Sequence, residues 1–425
     1  MKRNQLITTA LLSLGLISAA SAATVVTITG STAVRNATYN VLITPGVVFT
    51  AAPVVASYGN AVNDKATYVE FQGTATAALG GGALTILTDW SGSEAGIQDV
   101  SGAGTENFLL PIGAGTPAIV AGVTAWGGAS SSASSPVAAQ LQALPVDIAL
   151  ADNALTFSQS PGSTASQLGP IAAVPFVFVR NNTPGNDAGV NASLSGGDTV
   201  ANKFTNITDA NFQNLANGGA DIGLFIGYPK LGYNVYLAGR NNLSGTRANV
   251  FGITGFGINS FSKQIELTGV SGNNQLVNQE TAYGNGYLSN SGQNSGGTLA
   301  GSLLDTSSSY DYIADANAVA DSYQGFYVVS YLGLSDAGTA EAAPINAIQL
   351  NYNGAAYSAN GVITGTYDLW GNEYILSKHA DANGAAVASA VAAAFEAAAS
   401  FPDAYEIPLL SLKVNRAGPT SNPTY

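Results

Sequence analysis

Arg240 and the turn Ser244-Gly245-Thr246 lie between an apolar run, Tyr233–Leu237, and a helix-like segment ending at Phe251. A Ser-Gly-Thr turn at a helix start presents unpaired backbone N–H groups and two hydroxyls to one point. An arginine just ahead of it adds a full positive charge. Such a set can hold an anion. Taken alone, the stretch also reads as a strand, a turn and a helix with a surface arginine. Two further turns are built from small hydroxyl residues. Gly30-Ser31-Thr32-Ala33 follows the β-branched strand Thr24–Thr29, and Ser91-Gly92-Ser93 follows Leu84–Trp90. Each also reads as an ordinary helix cap. Asp152 ends the short apolar strand Val146–Ala151, at a carboxyl end where ligand-facing residues of open α/β sheets collect. It also reads as a turn-capping Asp.

These residues need strands and helices to position them. The continuous apolar run Ile171–Val179 suits a strand buried on both faces. Ala66–Gln72 and Leu84–Trp90 read as a hairpin, and Gly325–Leu334, Ile345–Tyr352 and Val362–Ile375 as strands. Helices are expected after each hydroxyl turn and over Val137–Leu144, Thr208–Leu215, Tyr312–Val319 and the Ala-rich Ala385–Ser400. Strands alternating with helices give an α/β fold. Gly/Ser/Asn-rich loops are read at 127–136, 181–200 and 284–302.

Composition narrows the function. Lys2 and Arg3, the apolar run Leu6–Leu16 and the small residues Ala20-Ser21-Ala22 read as a signal peptide over 1–22. The expected localisation is periplasmic or extracellular. No later run is long and apolar enough to span a bilayer, which takes ~20 residues. There is no cysteine, so no disulfide and no thiolate metal site. Charged residues make up only 9% of the chain and the net charge is -13, with no basic cluster for nucleic acid. Any anion must therefore be held by dipoles and one or two arginines.

In their order, these pieces resemble the periplasmic phosphate-binding protein of ABC transporters (PstS-like, type II periplasmic binding protein family). Ile28–Ala33 looks like that family's first anion loop and Trp90–Ile97 its second. Val146-Asp147…Asp152 is similar to its VDxxxxD strand. Arg240–Arg247 resembles its Arg-x-Asp-x-Ser-Gly-Thr motif, with Asn242 where the family has Asp. Gly325–Gly333 and Val362–Leu369 echo two later segments. The resemblance implies a two-domain type II periplasmic-binding-protein fold with two crossing strands and a ligand cleft between the domains. Domain I would be 23–176 plus 366–425, with an insertion at about 43–90, and domain II 177–365. The implied phosphate ligands are Thr32, Ala33, Ser93, Asp152, Arg240, Ser244, Gly245 and Thr246, with Thr74 and Thr76 as runners-up. Inorganic phosphate and an ABC permease are the implied partners of a monomer.

The site chemistry is consistent with this on its own terms. A carboxylate such as Asp152 repels an anion unless the anion has a proton to donate. Protonated phosphate has one and sulfate does not. Arg35 and Arg247, which follow two of the turns, are expected to run along their helices to solvent. The only histidine, His379, lies far from any serine motif, so a Ser/His/Asp triad and a transition-metal site are both disfavoured. Trp90, Trp126 and Trp370 read as core. The expectation is a binding protein, not an enzyme, without metal or cofactor. A surface or matrix protein reusing this fold is the rival reading, suited to the sparse charge and the Gly/Ser/Asn loops. A phosphoester hydrolase is a third, for which no nucleophile or metal constellation is found.

Overall fold

The structure, a computed structural model, describes residues 23–58, 66–102, 104–110, 124–125, 141–160, 164–182, 184–270, 273–277, 290–303, 312–313, 320–321, 326–378, 381–401 and 405–424. The leader at 1–22, the loop at 127–136, Trp126 and His379 lie outside them.

The chain is mixed α/β. In order it forms β1 (Thr24–Gly30), α1 (Arg35–Ile43), β2 (Val54–Tyr58), β3 (Tyr68–Thr74), β4 (Ala83–Asp89) and α2 (Ser93–Ser101). Next come β5 (Ile148–Ala151), the long β6 (Ser166–Arg180), α3 (Asp209–Ala216), β7 (Asn234–Leu237) and α4 (Gly245–Ile253). Then follow α5 (Gly296–Ser302), β8 (Phe326–Gly333), α6 (Leu334–Glu341), β9 (Ile348–Tyr352), β10 (Trp370–Ser377) and α7 (Ala382–Glu396). Among the described residues the main sheet runs in the order β7-β8-β6-β10-β5-β1-β4-β3-β2.

β6 joins two parts of this sheet. From Ser166 to Pro175 it pairs antiparallel with β10. From Phe176 to Arg180 it pairs with β8, and Phe178–Arg180 also pair with β9. The change of partners falls where Phe176 N–H donates to Leu369 O at 2.9 Å and the Tyr367 hydroxyl to Phe176 O at 2.7 Å. Every residue of Ile171–Val179 other than Pro175 is an apolar core residue, which explains the unbroken apolar run.

In one part, β1 is flanked by β4 and β5, and all three strands are parallel. In the other, β7 is parallel to β8. Parallel strands send their carboxyl ends the same way, so the turns after β1, β4 and β5 come to one edge. The 43–90 stretch, expected as an insertion, supplies β2, β3 and β4 of this sheet, with β4 directly beside β1.

Some local expectations give way. Of Val137–Leu144, read as helix, the described part Leu141–Leu144 belongs to the strand Leu141–Pro145 paired with Thr105–Leu109, because a partner edge outweighs weak helical spacing. Of Tyr312–Val319, also read as helix, the described part Tyr312–Ile313 is strand. The Val362–Ile375 strand starts only at Trp370. Before it, Ala359–Thr364 is a helix, capped by Ser358 accepting from Gly361 N–H and stopped by Gly365 at φ 75. Thr208 and Asn211 form a reciprocal cap on α3, and Asp381 caps α7.

Candidate functional site

The site is built from the carboxyl ends of β1, β4 and β5 on one side and the start of α4 on the other. Gly30 has φ 115, and a Cβ there would stand 2.0 Å from Leu150 O, so only glycine lets β1 turn this close to β5. Ser31 N–H donates to Leu150 O at 2.8 Å, and Gly92 N–H to Gly30 O at 2.8 Å. Thr29 and Ser91 hydroxyls meet at 2.8 Å. The three turns are thereby laced together.

Asp152 is the junction. It is 2% exposed. Its Oδ1 accepts from the Ser93 hydroxyl at 2.8 Å, and its Oδ2 accepts from the Thr246 hydroxyl at 3.1 Å. Ser93 opens α2 and Thr246 lies in the first turn of α4, so one carboxylate ties together two parts of the chain. Asn249 reinforces the tie, its Nδ2 donating to Asp152 O at 2.7 Å and Gly245 O at 3.1 Å. Glu94 N–H donates to Leu243 O at 3.1 Å. A Cβ on Gly245 would fall 2.3 Å from Ser93 Oγ, so the two helix starts touch. The Glu94 carboxylate is buried behind them, taking hydrogen bonds from Asn153, Ser158 and the Gln159 N–H. Burial pushes its pKa up against those three donors.

Arg240 stands beside this cluster, 3% exposed. Its Nε donates to Gln293 O at 3.1 Å and its Nη2 to Asn294 O at 3.0 Å. Among the described residues no carboxylate forms an ion pair with it. Burial lowers its pKa, and the charges opposing that are Asp336, Tyr331 and Asp152. The backbone of Arg240 is gripped as firmly as its side chain. Its N–H donates to the Tyr331 hydroxyl at 3.1 Å, and its carbonyl accepts from Arg247 Nη1 at 2.9 Å and Gln264 Nε2 at 3.1 Å. Arg247 therefore does not reach solvent. It is 1% exposed, lies 4.6 Å over the Phe251 ring and braces the strand that carries Arg240. The polar carbonyls of Arg240 and Asn290 gave its donors buried partners, which outweighed the usual pull toward water.

Ser93, Asp152, Gly245 and Thr246 thus form one buried cluster. Ser244 spends its hydroxyl on the α4 N-terminus, accepting from Arg247 N–H at 3.2 Å. Thr32 and Ala33 sit in the turn after β1, half-buried, and among the described residues no hydrogen bond joins them to Asp152. The cap residue of α1 is Val34, with no side-chain cap bond. Thr74 and Thr76 lie at the other end of the hairpin, since Thr74 pairs with Ala83 at the start of β4.

Three residues of the site carried no motif. Asp336, in the first turn of α6, is the acid nearest in effect to Arg240. Burial raises its pKa, while Arg240 and then Arg35 pull it down. Asn249 closes the cluster from α4. Glu373, 0% exposed on β10, faces Asp152. An acid inside the run Trp370–Ser377, every residue of which is buried, was the one available signal. Among the described residues no group of three or more Asp, Glu or His could hold a metal ion, and no helix is long and apolar enough to cross a membrane.

Among solved structures, the fold is similar to that of a Clostridium perfringens protein with bound phosphate, assigned as a phosphate ABC transporter substrate-binding protein. Identity is 11% and the TM-score 0.42, over 91% of this chain and 99% of that one. It is also similar to an ABC-type phosphate transport receptor from Vibrio cholerae (13% identity, TM-score 0.38, 84% and 88% of the two chains). PstS from Borrelia burgdorferi gives 13% identity and a TM-score of 0.34, over 86% and 92%. No family model matches the sequence, and neither does any curated protein.

Proposed function

We propose that the protein is an exported solute-binding protein that takes inorganic phosphate, or a closely related oxyanion, between residues 23–176 with 366–425 and residues 177–365. The observation that carries this reading is the convergence of the Ser93 and Thr246 hydroxyls, from two helix starts in different parts of the chain, on one buried carboxylate. Opening the contact between α2 and α4 frees both hydroxyls and the first-turn N–H groups of both helices. Arg240 supplies charge through the guanidinium donors that Gln293 O and Asn294 O do not use. Hydrogen bonds to a charged group are worth ~1.5–3 kcal/mol each. Five or six of them give roughly 8–18 kcal/mol, so with association costs near the ~4 kcal/mol end and bonds near the strong end they reach the roughly 8 kcal/mol of a ~micromolar complex. Asp152 then accepts the proton of a protonated phosphate and is left facing a bare oxygen with sulfate. Such a protein works as a monomer that hands its ligand to a membrane permease and carries out no chemistry on it.

A second reading has its own observation. With Gly245 against Ser93, the hydroxyls of the cluster are already satisfied by Asp152. A surface or matrix protein reusing the fold would keep that contact permanently shut. Equilibrium dialysis against labelled phosphate separates the two. The binding reading expects saturable uptake at or below about millimolar phosphate, lost in Arg240→Ala. Absence of uptake by the wild-type chain supports the structural reading instead.

A further inference from the structure

We propose that Asp152 and Glu373 share one proton in the folded protein, and that this proton sets the charge of the anion site, so that oxyanion capture strengthens as the pH falls. The inference rests on the binding reading above for its second half only.

The geometry begins with register. Tyr374 of β10 lies opposite Ala151 of β5, which brings Glu373 beside Asp152 at the end of β5. The pairing of β10 with β6 slips between Glu373 and Ile375, a local irregularity of the kind that re-aims a side chain. Glu373 is 0% exposed, and neither of its carboxyl oxygens meets a donor among the described residues. The group it faces is another carboxylate. Ser93 and Thr246 both donate to Asp152 and neither donates to Glu373. The charges bearing on Glu373 from the packed elements are Asp152 from β5 and Glu406 from the segment leading into Ile407–Pro408, both acidic. On its own strand the neighbouring Tyr374 phenol is pushed up chiefly by burial, with Glu373 adding to it against a hydrogen bond from Asn372. Arg240 and Glu94 bear on Asp152, whereas only acids bear on Glu373, so of these two adjacent buried carboxylates Glu373 is the one that cannot stay charged. A single proton on Glu373 supplies the missing donor and gives Asp152 a third hydrogen bond. Burial and the two neighbouring acids hold that proton well above the usual carboxylate range.

The consequence for binding is a charge count. With the proton the pair carries one negative charge, and without it two. An anion entering beside Asp152 meets the smaller repulsion only in the protonated state. A carboxylate offers about four lone-pair positions. Glu373 takes one, and with the Ser93 and Thr246 hydroxyls turned from Asp152 to the ligand, room remains for a proton of the ligand. Glu373 acts through Asp152 and is a positioning residue.

The test is Glu373→Gln, which keeps the shape and an N–H donor but cannot titrate. Carboxyl-carbon NMR of the ligand-free wild type should show one glutamate titrating far above its neighbours, absent in the variant. A wild-type spectrum in which every glutamate titrates in the ordinary range overturns the shared proton, whether or not phosphate binds. Phosphate titrations between about pH 5 and pH 8 then test the coupling. Above the transition of the pair, wild-type affinity should fall by up to about tenfold per pH unit beyond the effect of phosphate's own ionisation. In the variant this extra fall should vanish. Identical profiles for the two proteins overturn the coupling. Calcium-dependent heat that Glu373→Gln removes would make the pair a metal site and overturn the shared proton. If neither protein binds phosphate at any pH, the binding reading and the coupling fail, while NMR still decides the proton.

Discussion

At the scale of single residues, the site is organised by what reaches Asp152. Thr246→Val keeps the volume and removes the hydroxyl that donates to Oδ2 at 3.1 Å. A lost bond to a charged acceptor costs ~1.5–3 kcal/mol, and the loss should appear first in urea unfolding, because the bond exists without ligand. If the variant unfolds at the wild-type urea concentration, the bond contributes nothing to holding the two parts together. Arg240 and Asp336 make a second residue-scale pair. Burial raises the pKa of Asp336 while Arg240 and then Arg35 oppose the rise, and negative charge held there offsets charge that an anion would otherwise use. Asp336→Asn should tighten phosphate binding several-fold. Weaker binding would show that Asp336 matters by orienting Arg240.

At the scale of elements, the contact between α2 and α4 decides whether the site is open or shut. Gly245→Ala places a methyl 2.3 Å from Ser93 Oγ by ideal geometry, so the two helix starts must part. Alanine favours a helix by ~1 kcal/mol over glycine, yet overpacking costs ~1–3 kcal/mol. The variant should be less stable by thermal unfolding, and a gain in melting temperature would mean that the contact is loose. The same elements show what was legible beforehand. β1, β4, β5 and β6 were readable because β-branched and apolar runs end in small-residue turns. The clustering of Ser93, Asp152 and Thr246 was legible because each lies in or just after a small-residue turn or strand end. Glu373 was not, since its importance depends on β10 lying antiparallel to β5 with Tyr374 opposite Ala151. Asp336 was hidden for the same reason, being over ninety residues from the arginine it serves. Val362-Ile363-Thr364 misled because β-branched residues favour strands, while Ser358 and Gly365 punctuate a helix around them.

At the scale of the molecule, buried and half-buried acids dominate. Asp89, Glu94, Asp99, Asp147, Asp187, Asp336, Asp368 and Glu373 are all raised, in each case chiefly by burial. Asp99 is pushed up to about 7 by burial and by the neighbouring Glu106. Asp198, half-buried beside Tyr228 and Lys203, is shifted down. A raised carboxyl holds more protons folded than unfolded between its unfolded and folded values. Its contribution is therefore greatest at low pH and fades as pH climbs through that window. For Asp99 the window runs from about 4 to about 7. Stability should thus be greater near pH 5 than near pH 8, the reverse of proteins held by ionised salt bridges. Denaturant midpoints across that range check this, and Asp99→Asn should flatten part of the slope. With a net charge of -13 and only 9% charged residues, the chain gains little from surface ion pairs to offset the trend.

The most direct measurement for the whole account is a calorimetric titration of the wild-type chain with phosphate, with sulfate as control, near pH 6. A protonated oxyanion should give saturable heat and sulfate none, because only the former can donate to Asp152. No heat with phosphate at millimolar concentration, or equal binding of both anions, would contradict it.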